Sequence, residues 1–203
     1  MLIEETEVDV EALPLAAFRA HLRLGTGFAS DVVQDEVLEG FLRAAIAAVE
    51  ARTGKALLAR VFAWRIATWR DQSGQPLPVA PVSAVSDIVR IYSDGTEETV
   101  AEDLYRLSPD LHVPLLQPRG ALLPVIPTGG AVRIRFTAGF ASEWSGLPAD
   151  IAQAVMLLAA HYYEYRGATG LGEGCMPFGV TSLLARYRNL RLFMGGAAAG
   201  SGR

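Results

Sequence analysis

The feature that most constrains this chain is a change of period. Apolar residues recur at helical spacing towards both ends, while the stretch between is rich in alternating, β-branched and aromatic residues. Residues 30–52 open with Ser30 and Asp31, whose side chains can accept the free N–H groups of a first helical turn. Val33, Val37, Phe41, Ala44 and Ala48 then repeat at helical spacing, and Leu38, Leu42, Ala45 and Val49 widen the stripe. Gly54 supplies the stop. A shorter helix is expected over 14–24. Pro14 suits its first turn, Leu15, Phe18 and Leu22 share a face, and Gly25 and Gly27 end it. Helical spacing returns over 148–166 and over about 178–191. In the first of these, Pro148 sits in the opening turn and Asp150 lies near the positive helix end.

Between these stretches the pattern is that of strands. "ALLARVFAWRIATW" (56–69) alternates in its second half. In "AVSDIVRIYSDGTEETV" (84–100), residues 88–92 form one arm of a hairpin, Asp94-Gly95 is the turn, and residues 97–100 begin the return. Residues 105–107 and 131–139 read as further strands. Pro109, Pro114, Pro118, Pro124 and Pro127 mark loops or edges, because proline cannot donate to a ladder. The class is therefore α+β: a bundle of about four helices with an inserted, mainly antiparallel β unit. Residues 1–55 and 140–193 make the discontinuous helical core, 56–139 the inserted subdomain, and 194–203 a mobile tail of low complexity.

Composition excludes several functions. The chain has 203 residues, is 51% hydrophobic and carries a formal net charge of -4. It can fill a core, but it lacks the concentrated positive charge of a protein that coats DNA. A single cysteine, Cys175, permits neither an intrachain disulfide framework nor a CxxC zinc site. The acidic N-terminal sequence lacks the pattern of a signal peptide, and the longest apolar run, "AVMLLAA", is far too short to span a bilayer. A soluble protein made in the cytoplasm is expected.

His161 and Glu164 lie three residues apart on the 148–166 helix, where side chains at that spacing are neighbours. A metal-dependent enzyme built on them needs further ligands, and His21 and His112 have no spacing that supplies one. The expectation is that there is no catalytic residue, metal or cofactor. The loop "GLGEG" (170–174) follows a helix and lacks the GK[ST] ending of a phosphate-binding loop. Cys175 has no nominated base, no GxSxG elbow is present, and the acidic clusters at 3–7 and 94–99 do not match a calcium loop. The stretch "LLARYRNLRLFMGG" (183–196) is more informative. Arg186, Arg188 and Arg191, interleaved with Tyr187, Leu190, Leu192, Phe193 and Met194, have the composition of an interface core. The same arginines carry the alternative of a DNA-binding module.

In order and spacing, several pieces together resemble the head–tail connector (adaptor) proteins of long-tailed phages and gene transfer agents. They are "LAAFRAHLRL", "AAIAAVEARTGKAL", "LPVAPVSAVSDIVRIYSDGTEE", "VRIRFTAGF", "LPADIAQAVMLLAAHYYEYRG" and "PFGVTSLLARYR". The resemblance covers roughly residues 13–190. It implies a structural protein of the virion or phage-like particle, made in the bacterial cytoplasm. The protein would form a ring, commonly dodecameric, beneath the portal protein, extend the DNA channel, and meet the next connector or tail-completion (stopper) protein. DNA would pass through the lumen without sequence-specific binding, and no membrane is involved. The family has no catalytic residues to carry over. In related connectors the C-terminal segment often contacts the portal, which places docking here on Arg188, Asn189, Leu190, Arg191, Leu192, Phe193 and Met194. The helical faces over 30–52 and 148–166 are wider than one partner needs, so Phe41, Tyr162 and Tyr165 are the expected subunit-interface residues.

Overall fold

The computed structural model describes residues 1–24, 31–166 and 176–188, with the side chains of 31–33 excepted. Among them are four α-helices: α1 (Leu15–His21), α2 (Asp31–Thr53), α3 (Ala149–Glu164) and α4 (Phe178–Leu183). The strands are β1 (Leu2–Glu4), β2 (Arg60–Ile66), β3 (Gln75–Pro76), β4 (Val82–Ile91), β5 (Glu97–Thr99), β6 (Tyr105–Ser108), β7 (Leu115–Pro118) and β8 (Ala131–Ala138). They form an antiparallel sheet in the order β1-β2-β8-β4-β5 and a smaller one in the order β3-β7-β6. The class is α+β, as the periods require.

Two hydrophobic clusters organise these elements. One gathers the helices: Phe18, Leu38, Leu42, Val49, Ile151, Val155, Leu158, Val180 and Leu184 are all inaccessible to solvent. The other joins the two sheets. Val132, Ile134, Phe136 and Ala138 alternate inward along β8, and Phe136 stacks on Phe62 with ring centroids 5.7 Å apart. Burying a Leu or Phe side chain fully contributes roughly 1.5–3 kcal/mol, so each cluster outweighs any single polar contact nearby.

The predicted hairpin is present, with Val89, Arg90 and Ile91 paired to Thr99, Glu98 and Glu97. Its first arm is longer than expected, because β4 continues back to Val82 through two register shifts. Three other expectations are corrected. The broad stripe of α2 divides: Leu38, Leu42, Ala45 and Val49 are buried with Ile46, whereas Val37 and Ala44 are exposed. A cylinder can turn only one side to α3, and the flank of the predicted stripe is the side it turns. The C-terminal helix expected to about 191 stops at Leu183, and a single 3-10 turn, Ala185–Tyr187, follows. The proline-rich stretch contains β7, because its prolines border the run Leu115–Gln117, whose donors remain available.

The first residues, read only as acidic, form the edge strand β1. Leu2, Ile3 and Glu4 pair with Trp64, Ala63 and Phe62, and the terminal ammonium donates to the Arg65 carbonyl at 2.7 Å. Arg60 ties this edge to the helices. Its Nη2 donates to Glu50 Oε2 of α2 at 2.7 Å, and its Nε lies 2.6 Å from Glu4 Oε1, in charge contact but poorly aimed for a hydrogen bond. Glu50 also accepts from the Leu57 N–H at 2.7 Å.

After the first residues leave β1 for the helices, the chain passes between the two clusters twice more, at 55–59 and 139–141, and these two passages bind each other. Ala59 donates to the Ala141 carbonyl at 2.8 Å and Phe140 to the Leu57 carbonyl at 2.9 Å. Gly139 has a φ of 146°, and a Cβ there would lie 2.4 Å from the backbone of Ala59. Lys55, the only lysine in the chain, is 1% exposed at the first passage. Burial lowers its pKa, and the charge of Asp110 partly opposes that shift.

Candidate functional site

The helical unit presents the surfaces on which the sequence places function. Phe41, on α2, is half-buried and meets Tyr163 edge-on at 6.0 Å, so much of its ring is used within the chain. Tyr162 is half-buried against the helical cluster, and burial raises its phenol pKa. Tyr165, just past the end of α3, is 50% exposed and lies 4.7 Å from the His161 ring. Of the three, Tyr165 offers the most free surface.

His161 lies between the Tyr162 and Tyr165 rings, and its Nε2 is shut off from solvent without a hydrogen-bond partner. Glu164 is exposed. Among the described residues no three or more His, Cys, Asp and Glu side chains converge to hold a metal ion. Also among them, no helix is long and apolar enough to cross a membrane. The loop at 170–174 and Cys175 lie outside the described residues, as does the tail.

The C-terminal arginines divide in the same way. Arg186 is engaged: its Nε lies 2.9 Å from Asp150 Oδ2, and its guanidinium covers the Tyr187 ring and donates to the Tyr187 hydroxyl. The Tyr187 hydroxyl donates to Asp150 Oδ1 at 2.8 Å, and its ring meets Phe140 edge-on at 5.8 Å. This arrangement pins the end of the described chain to the start of α3. Arg188 follows, exposed and extended, with φ -70° and ψ 133°. Asn189, Leu190, Arg191, Leu192, Phe193 and Met194 lie outside the described residues. An arginine held by Asp150 is poorly placed to neutralise a phosphate, which weakens the DNA-binding alternative.

Phe178 was missed in the sequence. It opens α4 and is 87% exposed, the highest value among the large hydrophobic side chains of the described residues. The signal was available: Val180, Leu184 and Tyr187 repeat on the buried side, and a residue two positions before Val180 points the opposite way. An exposed aromatic of this size is a usual anchor for another protein.

Known structures share this architecture. A chain in the neck of an empty gene transfer agent (GTA) particle, computed with C6 symmetry, is 51% identical over 96% of this chain and 98% of its own, with a TM-score of 0.88. The chain belongs to the family of gene transfer agent neck proteins. A chain in the virion of a native GTA particle matches this neck protein at 50% identity and a TM-score of 0.84. One in the neck of a native particle, computed with C12 symmetry, matches at 47% and 0.81. Both cover 96% of this chain and 98% of their own. No protein-family model and no curated protein matches it.

Proposed function

We propose that this neck protein is a structural, non-enzymatic connector. It assembles as a ring beneath the portal, extends the DNA channel and joins the capsid to the tail. The observation that carries this reading is the 51% identity, over nearly the whole of both chains, to a neck component in a symmetric particle. Symmetries of C6 and C12 both divide a twelve-membered ring, which favours a dodecamer. In this reading the partners are the portal protein, the next connector or stopper protein, further copies of the same chain, and DNA that passes without sequence-specific contact.

The residues divide the work. The helical unit, 1–55 and 140–193, carries the contacts with neighbours and portal, and 56–139 is the inserted platform. Phe41, Tyr162 and Tyr165 face adjacent subunits, with Phe178 added as an exposed anchor. The segment from Arg188 to Met194 docks on the portal, following directly on Tyr187, which Asp150 holds. Wild-type protein mixed with purified portal complex is expected to co-sediment as a ring assembly. Truncation after Tyr187 is expected to abolish that association while leaving the thermal unfolding midpoint within about 2 °C, since Tyr187 is the last buried side chain among the described residues. A truncated chain that still co-sediments would remove the docking role from 188–194. A wild-type chain that never binds portal would remove the connector reading.

A further inference from the structure

The outward face of the small sheet holds a positive cleft that no role above uses. Arg106 on β6 is paired in register with Gln117 on β7, and Arg119 follows two residues after Gln117. Alternation puts Arg106, Gln117 and Arg119 on one face, with the two arginines as diagonal neighbours. Arg106 and Arg119 border an open cleft of about 470 Å³ together with Pro118 and Gly120. Arg119 is fixed there: its backbone N–H donates to the Leu104 carbonyl at 3.0 Å and its Nε to the Tyr105 carbonyl at 3.1 Å. Both side chains are exposed, and neither forms an ion pair among the described residues. On the large sheet most arginines are taken: Arg60, Arg90, Arg133 and Arg135 each hold a carboxylate, of Glu4 and Glu50, Glu98, Glu97, and Glu5 and Asp87 respectively, while Arg65 forms no ion pair among the described residues.

We propose that this cleft receives the acidic N-terminal segment Asp9–Glu11 of a neighbouring copy of the same chain. The inference rests on the ring reading. A ring that closes by rotation joins two different surfaces of one protein, so a positive patch needs a negative one elsewhere on the same subunit. Glu4 and Glu5 are already bound to Arg60 and Arg135. Asp9 and Glu11 are exposed and form no ion pair among the described residues; Asp9 only accepts the Glu11 N–H at 3.2 Å. Between them Val10 is 43% exposed, an apolar residue between two acids, to meet Pro118 beside two arginines. The segment belongs to the helical side of the molecule, where the Val8 carbonyl accepts from Arg43 of α2 at 3.0 Å, and the cleft belongs to the β side. Two guanidiniums on a chain of net charge -4 make a poor phosphate track, so a carboxylate partner is favoured over DNA.

The test places a photo-crosslinking benzoylphenylalanine at Gln117, which leaves both arginines intact, in full-length chain incorporated into particles. Mass spectrometry is expected to find the residue joined to the peptide containing Asp9–Glu11 of a second copy. Products with DNA, with a different neck protein, only within one chain, or none at all would each overturn the assignment. Independently, Arg106→Glu with Arg119→Glu is expected to lower incorporation about tenfold or more, the weight of lost interfacial charge pairs. Adding Asp9→Arg with Glu11→Arg is expected to restore it, and restoration is not expected if the first pair merely misfolds. Failure to restore would count against the proposal. A chain absent from purified particles would overturn the neck reading itself, whereas a chain present there but crosslinked elsewhere would overturn the cleft alone.

Discussion

Gly139→Ala is expected to destabilise the protein strongly, because both its backbone conformation and the neighbouring backbone exclude a side chain. Gly139 ends β8 at the point where the chain returns from the sheets to the helices, and its N–H donates to the Pro81 carbonyl at 2.9 Å. A Cβ would meet three backbone atoms at once: Ala59 Cα and N at 2.4 Å and the Leu58 carbonyl carbon at 2.6 Å. Backbone atoms cannot rotate away as a side chain does. The φ of 146° adds a second cost, because residues with a side chain rarely adopt it. Strain at such a position costs about 1–3 kcal/mol and overpacking about 1–3 kcal/mol more, so a loss of roughly 4 kcal/mol is expected. In a chain of this size that lowers the unfolding midpoint by about 8–16 °C. Thermal melts followed by circular dichroism check it, with Gly95→Ala as a comparison. Gly95 also has positive φ but has nothing within 4 Å of its Cβ. Equal losses at the two positions would show that φ alone, not the close approach of the two passages, sets the cost.

Arg60→Met is expected to have the second largest effect, about 3 kcal/mol. The Arg60 side chain is 9% exposed and Glu50 15%, so this pair is shielded from solvent in a way the surface pairs are not. Desolvation works against the charge on Arg60, and the hydrogen bonds and charge of Glu50, followed by the charge of Glu4, more than offset it, raising its pKa. Methionine fills much of the same volume but leaves Glu50 as a shielded charge with only the Leu57 N–H as partner, and stranding one member of such a pair typically costs about 3–5 kcal/mol. The lower end applies because Glu4 is 40% exposed and water can reach the site. Arg60→Met with Glu50→Leu is expected to recover most of the loss in urea denaturation, since no charge then remains unpaired. If the double variant is no better than the single one, the guanidinium acts mainly through its packing over the Phe62 ring, 5.1 Å away.

What could be read in the sequence depended on how long a period persisted. The α3 helix was legible because Ile151, Val155 and Leu158 repeat over about two turns, and β8 because Val132, Ile134, Phe136 and Ala138 alternate without a break. The hairpin was legible from its Asp94-Gly95 turn. Short edge elements were not. β1 has three residues, all exposed, and its place is set by the free edge of β2 and by Arg60, Arg65 and Arg135, residues 56 or more positions away. β7 was hidden by prolines that border it rather than break it. The breadth of the α2 stripe was visible, but not which part of it would meet α3. Of the expected contact residues, Phe41 and Tyr162 turned out to be half-covered within the chain, while Phe178 stood free in plain sight of its helical phase. The Arg106–Arg119 cleft needed the β6–β7 register, which no local pattern encodes.

The position of Lys55 decides how this subunit can be mapped inside a particle. The only lysine in the sequence lies under the first passage between the two clusters, almost wholly buried. Lysine-directed cross-linkers will therefore find no exposed lysine on the folded chain, and a proximity map of a neck built on lysine chemistry will show a blank at this subunit even where contacts are dense. Carboxylate-directed or photo-activated reagents, which use the acids and aromatics the surface does carry, are the ones that will make its neighbours visible.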